Sequence, residues 1–188
     1  MVLNNAYDPN HMITDTGLLS DFFSNQGEPF ELAAKSALFR QSDSITRLYW
    51  LKDGQARLVR RSLEGQEITL QSLSSGLIAE ASLYQDYYHC DGLIEQDSVG
   101  FQANRNRFEE ALSASSDLHH AFSRYLASNL REARAISEIK SLKRIAERVD
   151  AWIALKGPDS LRKGELTGVA AQIGVTREAL YRELSRRK

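Results

Sequence analysis

The hydrophobic period of this chain changes once, near Asn106. A period of two builds strands and a period of 3.6 builds helices, so from about Phe30 onward a sheet followed by helices is expected. From about Phe30 to Phe101 the residues read as short strands. Ile45-Thr46-Arg47-Leu48-Tyr49-Trp50-Leu51 is rich in β-branched and aromatic side chains, and the Asp53-Gly54 that follows predicts a hairpin turn. Ala56–Arg60 alternates in part, and Glu64-Gly65 marks a second turn. Glu67–Leu73 alternates polar and apolar residues over its whole length, which suits a half-buried strand. Turns about ten residues apart predict an antiparallel sandwich or barrel.

Past Asn106 the apolar residues recur at helical spacing. Phe108, Ala111 and Leu112 form a short patch, and Leu118, Phe122, Leu126, Leu130, Ala133 and Ile136 then form the stripe of one long helix. Ser115 or Ser116 can cap it, and Asp117 suits the positive end of its dipole. No proline or glycine interrupts it. Two readings of the stripe stand: pairing with a second copy of the helix, or packing on the chain's own β domain. Ser137–Ser141 is predicted to be a hinge. A further helix from about Ser141 to Leu155 turns Leu142, Ile145, Ala146, Val149, Trp152 and Ile153 inward and ends at Gly157-Pro158.

Composition narrows the function classes. A single cysteine, Cys90, excludes an intrachain disulfide and any multi-cysteine zinc or iron–sulfur site. No apolar run approaches the ~18 residues of a membrane span, and residues 1–15 lack a secretory pattern, so the expected location is the cytoplasm. No nucleophile with a base, metal cluster or phosphate loop is visible, which argues against an enzyme. The net charge of −1 hides a gradient: residues 1–130 carry 10 basic and 17 acidic side chains, and residues 131–188 carry 14 and 8. Only the C-terminal part is suited to a polyanion.

That part holds the most specific pattern. Leu166, Val169, Ala170, Ile173, Gly174, Val175, Leu180 and Leu184 match the core of a helix-turn-helix. Small Ala170 allows close helix approach, and Gly174 accepts the positive φ of the turn. Thr176 is placed to cap the second helix, with Glu178 in its first turn. Its outer face offers Arg177, Glu178, Tyr181 and Arg182 to a major groove, where arginine reads guanine and glutamate reads cytosine. Arg186, Arg187 and Lys188 continue the positive charge towards phosphates.

Thr176-Arg177-Glu178-Ala179-Leu180-Tyr181-Arg182 resembles the recognition helix of the bacterial cAMP receptor protein and fumarate–nitrate regulator (CRP/FNR) superfamily. Leu48–Leu58 is similar to that superfamily's first hairpin, Gly65–Leu70 to its next strand, and Gly76–Leu83 to its effector-pocket loop. The resemblance implies an α+β fold. It comprises a cyclic-nucleotide-binding-like β-roll over 1–112, a dimerisation helix over 113–138 and a helix-turn-helix DNA-binding domain over 139–188, its wing reduced or missing. It implies a homodimeric, sequence-specific transcription regulator. The implied partners are duplex DNA with a near-palindromic operator, RNA polymerase and a small-molecule effector.

The effector loop departs from the cAMP-binding pattern, which has a Gly-Glu pair and then an Arg followed by Ser or Thr. Glu80 is present, but Ala79 replaces the glycine and Tyr87–Asp91 holds no arginine, serine or threonine. An uncompensated buried phosphate is costly, so cAMP is not expected to bind. Glu80, Ala81, Ser82, His89, Cys90 and, on the long helix, Arg134 remain the candidate effector residues. No cofactor is predicted; haem held by His89 or Cys90, and a thiol switch at Cys90, are the alternatives these two residues raise. The competing reading of the whole chain is a ligand-sensing or protein-interaction module with a vestigial DNA reader.

Overall fold

The computed structural model describes residues 9–161 and 166–187, with side chains from Thr16 onward. Contacts divide the chain into two compact units, Met1–Arg60 with Leu73–Ala127, and Arg61–Ser72 with Ser128–Lys188.

The strands are β1 (Glu28–Leu32), β2 (Ala37–Phe39), β3 (Arg47–Arg61), β4 (Glu67–Leu73), β5 (Gly76–Ile78) and β6 (Asp91–Asn104). They form one sheet in the order β1-β6-β3-β4, with β2 also on β6 and β5 also on β3. The pairs β1–β6, β2–β6, β3–β5 and β3–β6 are antiparallel, the arrangement of a jelly roll. The turn expected at Asp53-Gly54 does not form. β3 runs straight through it, and the strain is absorbed by bulges against β6 between Leu51 and Ala56. Gly54 takes φ +117°, and the Ser98 hydroxyl accepts from the Gln55 N–H at 3.1 Å while donating to the Gln96 carbonyl at 2.6 Å. A glycine turn signal inside a long paired strand thus becomes a bend. The second expected turn is present: Gly65 has φ +80° and its N–H reaches the Ser62 carbonyl.

Helix α1 (Pro9–Gln26), for which the sequence pattern gave no expectation, places Leu19 and Phe23 fully inside the β unit. They meet Trp50, Leu77, Ile94 and Phe108, the last from α2 (Arg105–Ala114). The Asn104 side chain caps α2 by accepting from the Asn106 and Arg107 N–H groups.

Helix α3 spans Ser116–Ser141, and the Ser115 hydroxyl caps it through the Leu118 N–H. Its apolar stripe has three environments. Leu118 and Phe122 are buried in the β-unit core, Ile139 is buried in the second core, and Leu130 between them is 52 % exposed. The expected hinge at Ser137–Ser141 is helical instead. The Ser141 hydroxyl turns back to the Glu138 carbonyl, and the helix ends only where Leu142 N–H bonds Ile139 O. The break is Leu142–Arg144, followed by α4 (Ile145–Lys156).

The second core joins Ile139 to Val149 and Trp152 of α4 and to α5 (Leu166–Ile173) and α6 (Arg177–Ser185). Pro158–Leu161 forms a 3₁₀ turn, so no strand occupies the described part of the α4–α5 connection; residues 162–165 lie outside the description.

Candidate nucleic-acid interface and effector loop

The α5–α6 pair is assembled as its core pattern dictates. Leu166, Val169, Ala170, Ile173 and Leu180 are buried, with Val175 and Leu184 packed partly against them. Gly174 makes the turn at φ +70°. Thr176 is the N-cap of α6, its hydroxyl accepting from the Ala179 N–H at 3.2 Å. With the apolar face so occupied, Arg177, Glu178, Tyr181, Arg182 and Arg186 are all exposed. The Arg177 guanidinium lies 5.3 Å from the Tyr181 ring centre, which orients the cation without neutralising it.

Arg187 is the exception to the expected run of phosphate-directed charge. Its guanidinium bonds the carboxylates of Asp150 and Glu183 and donates to the Ala146 carbonyl. That holds the end of α6 to α4 and removes Arg187 from the free basic surface. Lys188 lies outside the described residues. Arg148, which the spacing did not single out, donates to the Leu142 carbonyl at 2.8 Å and to the carbonyls of Ile173 and Gly174 at 3.1 and 2.7 Å. Its partners lie up to 26 residues away, so no local motif marks it.

In the β unit, Glu80 and Ser82 are buried in a 3₁₀ turn, and Ala81 is exposed. Ala79, where cAMP binders carry glycine, is left-handed at φ +73°. The Ser82 hydroxyl and His89 Nδ1 are 2.9 Å apart. Arg60 of β3, missed in the sequence because it comes from another strand, donates from Nε and Nη2 to the His89 carbonyl at 3.2 and 3.0 Å. Burial, with the Arg60 charge beside it, lowers the His89 pKa. Cys90 packs into the apolar core, and burial pushes its thiol up to about 11. A thiol held neutral is poorly suited to metal ligation or oxidation at neutral pH. Residues 79–91 contain no lysine or arginine, and Arg60 directs two of its N–H groups to the protein backbone. Thus Glu80, Ser82, His89 and Cys90 share one unit with Arg60, while Arg134 is exposed on the part of α3 in the other. Tyr125 of α3 anchors the strand entering the loop: its hydroxyl accepts from the Leu77 N–H at 3.0 Å and donates to the Leu77 carbonyl at 3.2 Å.

Among the described residues no group of His, Cys, Asp or Glu could hold a metal ion, and no helix is long and apolar enough to cross a membrane.

A jelly roll with this loop, followed by a long helix, is the architecture of the cyclic-nucleotide-binding fold. Residues 29–115 match the cyclic nucleotide-binding domain family. The chain has the fold of the CRP/FNR transcription regulators. It is similar to the c-di-GMP responsive global regulator CLP of Xanthomonas campestris, with 16 % identity, 90 % of each chain covered and a TM-score of 0.67. FixK2 of Bradyrhizobium japonicum matches with 15 % identity, coverage of 85 % of this chain and 83 % of that one, and a TM-score of 0.71. The catabolite activator protein of Thermus thermophilus matches with 23 % identity, coverage of 97 % and 84 %, and a TM-score of 0.51. Among curated proteins none matches in sequence.

Proposed function

We propose that the chain is a sequence-specific DNA-binding transcription regulator, acting as a homodimer in the cytoplasm, whose β-roll does not take cAMP. The observation that carries this reading is α6: capped by Thr176, seated on a buried apolar face, and presenting Arg177, Glu178, Tyr181 and Arg182 outward. Arginine and glutamate on one exposed helix face suit guanine and cytosine edges in a major groove. The exposed Leu130 between the two cores of α3 supports a helix-to-helix contact with a second copy. The loop without its own cation supports the exclusion of cAMP. We assign the sensory role to 1–112, the dimer contact to 113–138 and DNA reading to 139–188.

Selection from a randomised duplex pool tests the reading. Its expected product is a near-palindrome whose half-sites are about one helical turn, roughly 34 Å, apart. Arg177→Ala then costs about 1–3 kcal/mol at one base position and relaxes preference there. A pool that emerges without sequence preference sinks the reading and favours the sensing module with a vestigial reader. Calorimetric titration with cAMP is expected to give no saturable heat.

A further inference from the structure

One surface of the C-terminal unit joins α6 to the start of α4, a helix outside the pair that the sequence pattern marks. The first turn of α4 and the outer side of α6 enclose a shallow groove lined by Arg144, Ile145, Ala179, Arg182, Glu183 and Arg186. Three of the lining residues are arginines, and Ile145 and Ala179 are apolar. The one acid on the rim, Glu183, is engaged by Arg187 at 2.8 Å, which also holds Asp150. Arg144 has only a distant contact to Glu147 at 3.9 Å, and its side chain is 82 % exposed. A surface pair of that kind contributes little. Arg182 and Arg186 have no carboxylate within ion-pair distance among the described residues. Three guanidiniums around one groove repel one another, while Glu183 is already engaged by Arg187 and Glu147 meets Arg144 only at 3.9 Å; an external anion relieves that repulsion.

We propose that this groove grips a backbone phosphate of duplex DNA, with Arg144 as the contact contributed from outside α5 and α6. The proposal rests on the DNA-binding reading above and adds to it a second kind of contact. α6 reads bases through Arg177 and Glu178, while Arg144 and Arg186 hold the sugar–phosphate ridge beside that groove. Phosphate contacts fix register and carry no sequence information, so the two sets separate in their signatures. Each phosphate neutralised by a side chain steepens the dependence of log K on log salt by about 0.9.

The test is fluorescence anisotropy of the full chain with two labelled 30-base-pair duplexes, one selected and one scrambled, over a series of salt concentrations. Arg144→Gln is expected to weaken both duplexes by the same factor and to reduce the salt slope by about 1. Arg144→Lys restores the slope, because a charge on a flexible stem still meets a phosphate. Circular dichroism of Arg144→Gln should match wild type: the backbone N–H of Arg144, which donates to the Glu147 carboxylate, is retained. An unchanged slope in Arg144→Gln overturns the groove while leaving the reader intact. Wild-type protein that binds neither duplex overturns the reader itself. Loss of only the selected duplex in Arg144→Gln makes Arg144 a base reader and also overturns the proposal. Binding to anionic phospholipid vesicles that exceeds duplex binding, and that Arg144→Gln abolishes, reassigns the groove to a membrane surface.

Discussion

Cys90 sits where the loop after β5 meets β6, and its side chain belongs to the apolar core rather than to solvent. Burial raises its folded-state pKa to about 11 from an ordinary 9.0. The folded protein therefore keeps this proton over a range in which the unfolded chain gives it up. The sign follows from linkage: below pH 9 both states are protonated and Cys90 adds no pH dependence. Between about pH 9 and pH 11 the native state binds more protons, so the Cys90 contribution to stability is lost as pH rises. Denaturant titrations at pH 8 and pH 10 should show a drop that Cys90→Ser lacks. Reaction of Cys90 with a maleimide at pH 7 should be slow in the native state and fast in denaturant. The sequence marks Cys90 as the lone thiol and His89 as its neighbour, and that is all it can mark. Arg60, which reaches the loop from β3, is 29 residues from His89 and joins it only through the sheet. No spacing rule connects residues that meet through strand pairing.

The two long strands are the least legible elements. Asp53-Gly54 has the composition of a two-residue turn, and the chain still continues as β3, because β6 supplies a partner on both sides of the bend. Turn propensity is local, whereas pairing along a 15-residue strand and a 14-residue partner decides the outcome. The glycine is nonetheless required. At φ +117° a side chain is strained, and a Cβ on Gly54 would collide with the Ser98 side chain. Gly54→Ala is expected to destabilise the β unit by at least about 2 kcal/mol, read as a lowered urea midpoint with little change in slope. The helical elements were far more legible. The stripe on α3, its serine cap, the core positions of α5 and α6, the Gly174 turn and the Thr176 cap all stand where spacing placed them. Helix signals are carried by neighbours three and four residues apart, which is why they survive in a bare sequence. α1 escaped because paired apolar residues such as Leu18-Leu19 and Phe22-Phe23 blur a helical stripe; Leu19 and Phe23 are buried, and Leu18 is exposed.

Assembly draws on what neither compact unit covers. The stripe along α3 is used up at both ends, by Leu118 and Phe122 in one core and Ile139 in the other, so exposed Leu130 marks the stretch that the proposed homodimer would bury. Because Leu130 is exposed, Leu130→Glu leaves the folded protomer intact. Sedimentation equilibrium should then report a mass of one chain for the variant and two for wild type; two monomers would end the homodimer reading. The sequence displays the full stripe but not its division, since the partner of each helix face is chosen by the tertiary packing. Arg148 carries the remaining consequence. One guanidinium closes over the Leu142 carbonyl in the break before α4 and over the carbonyls of Ile173, which ends α5, and Gly174, which begins the bend to α6. A pivot at Leu142–Arg144 and a flexing of that bend therefore draw on the same rivet. Where it stays fastened, the turn between the two short helices is tied to the start of α4, and a displacement of that start carries the turn with it.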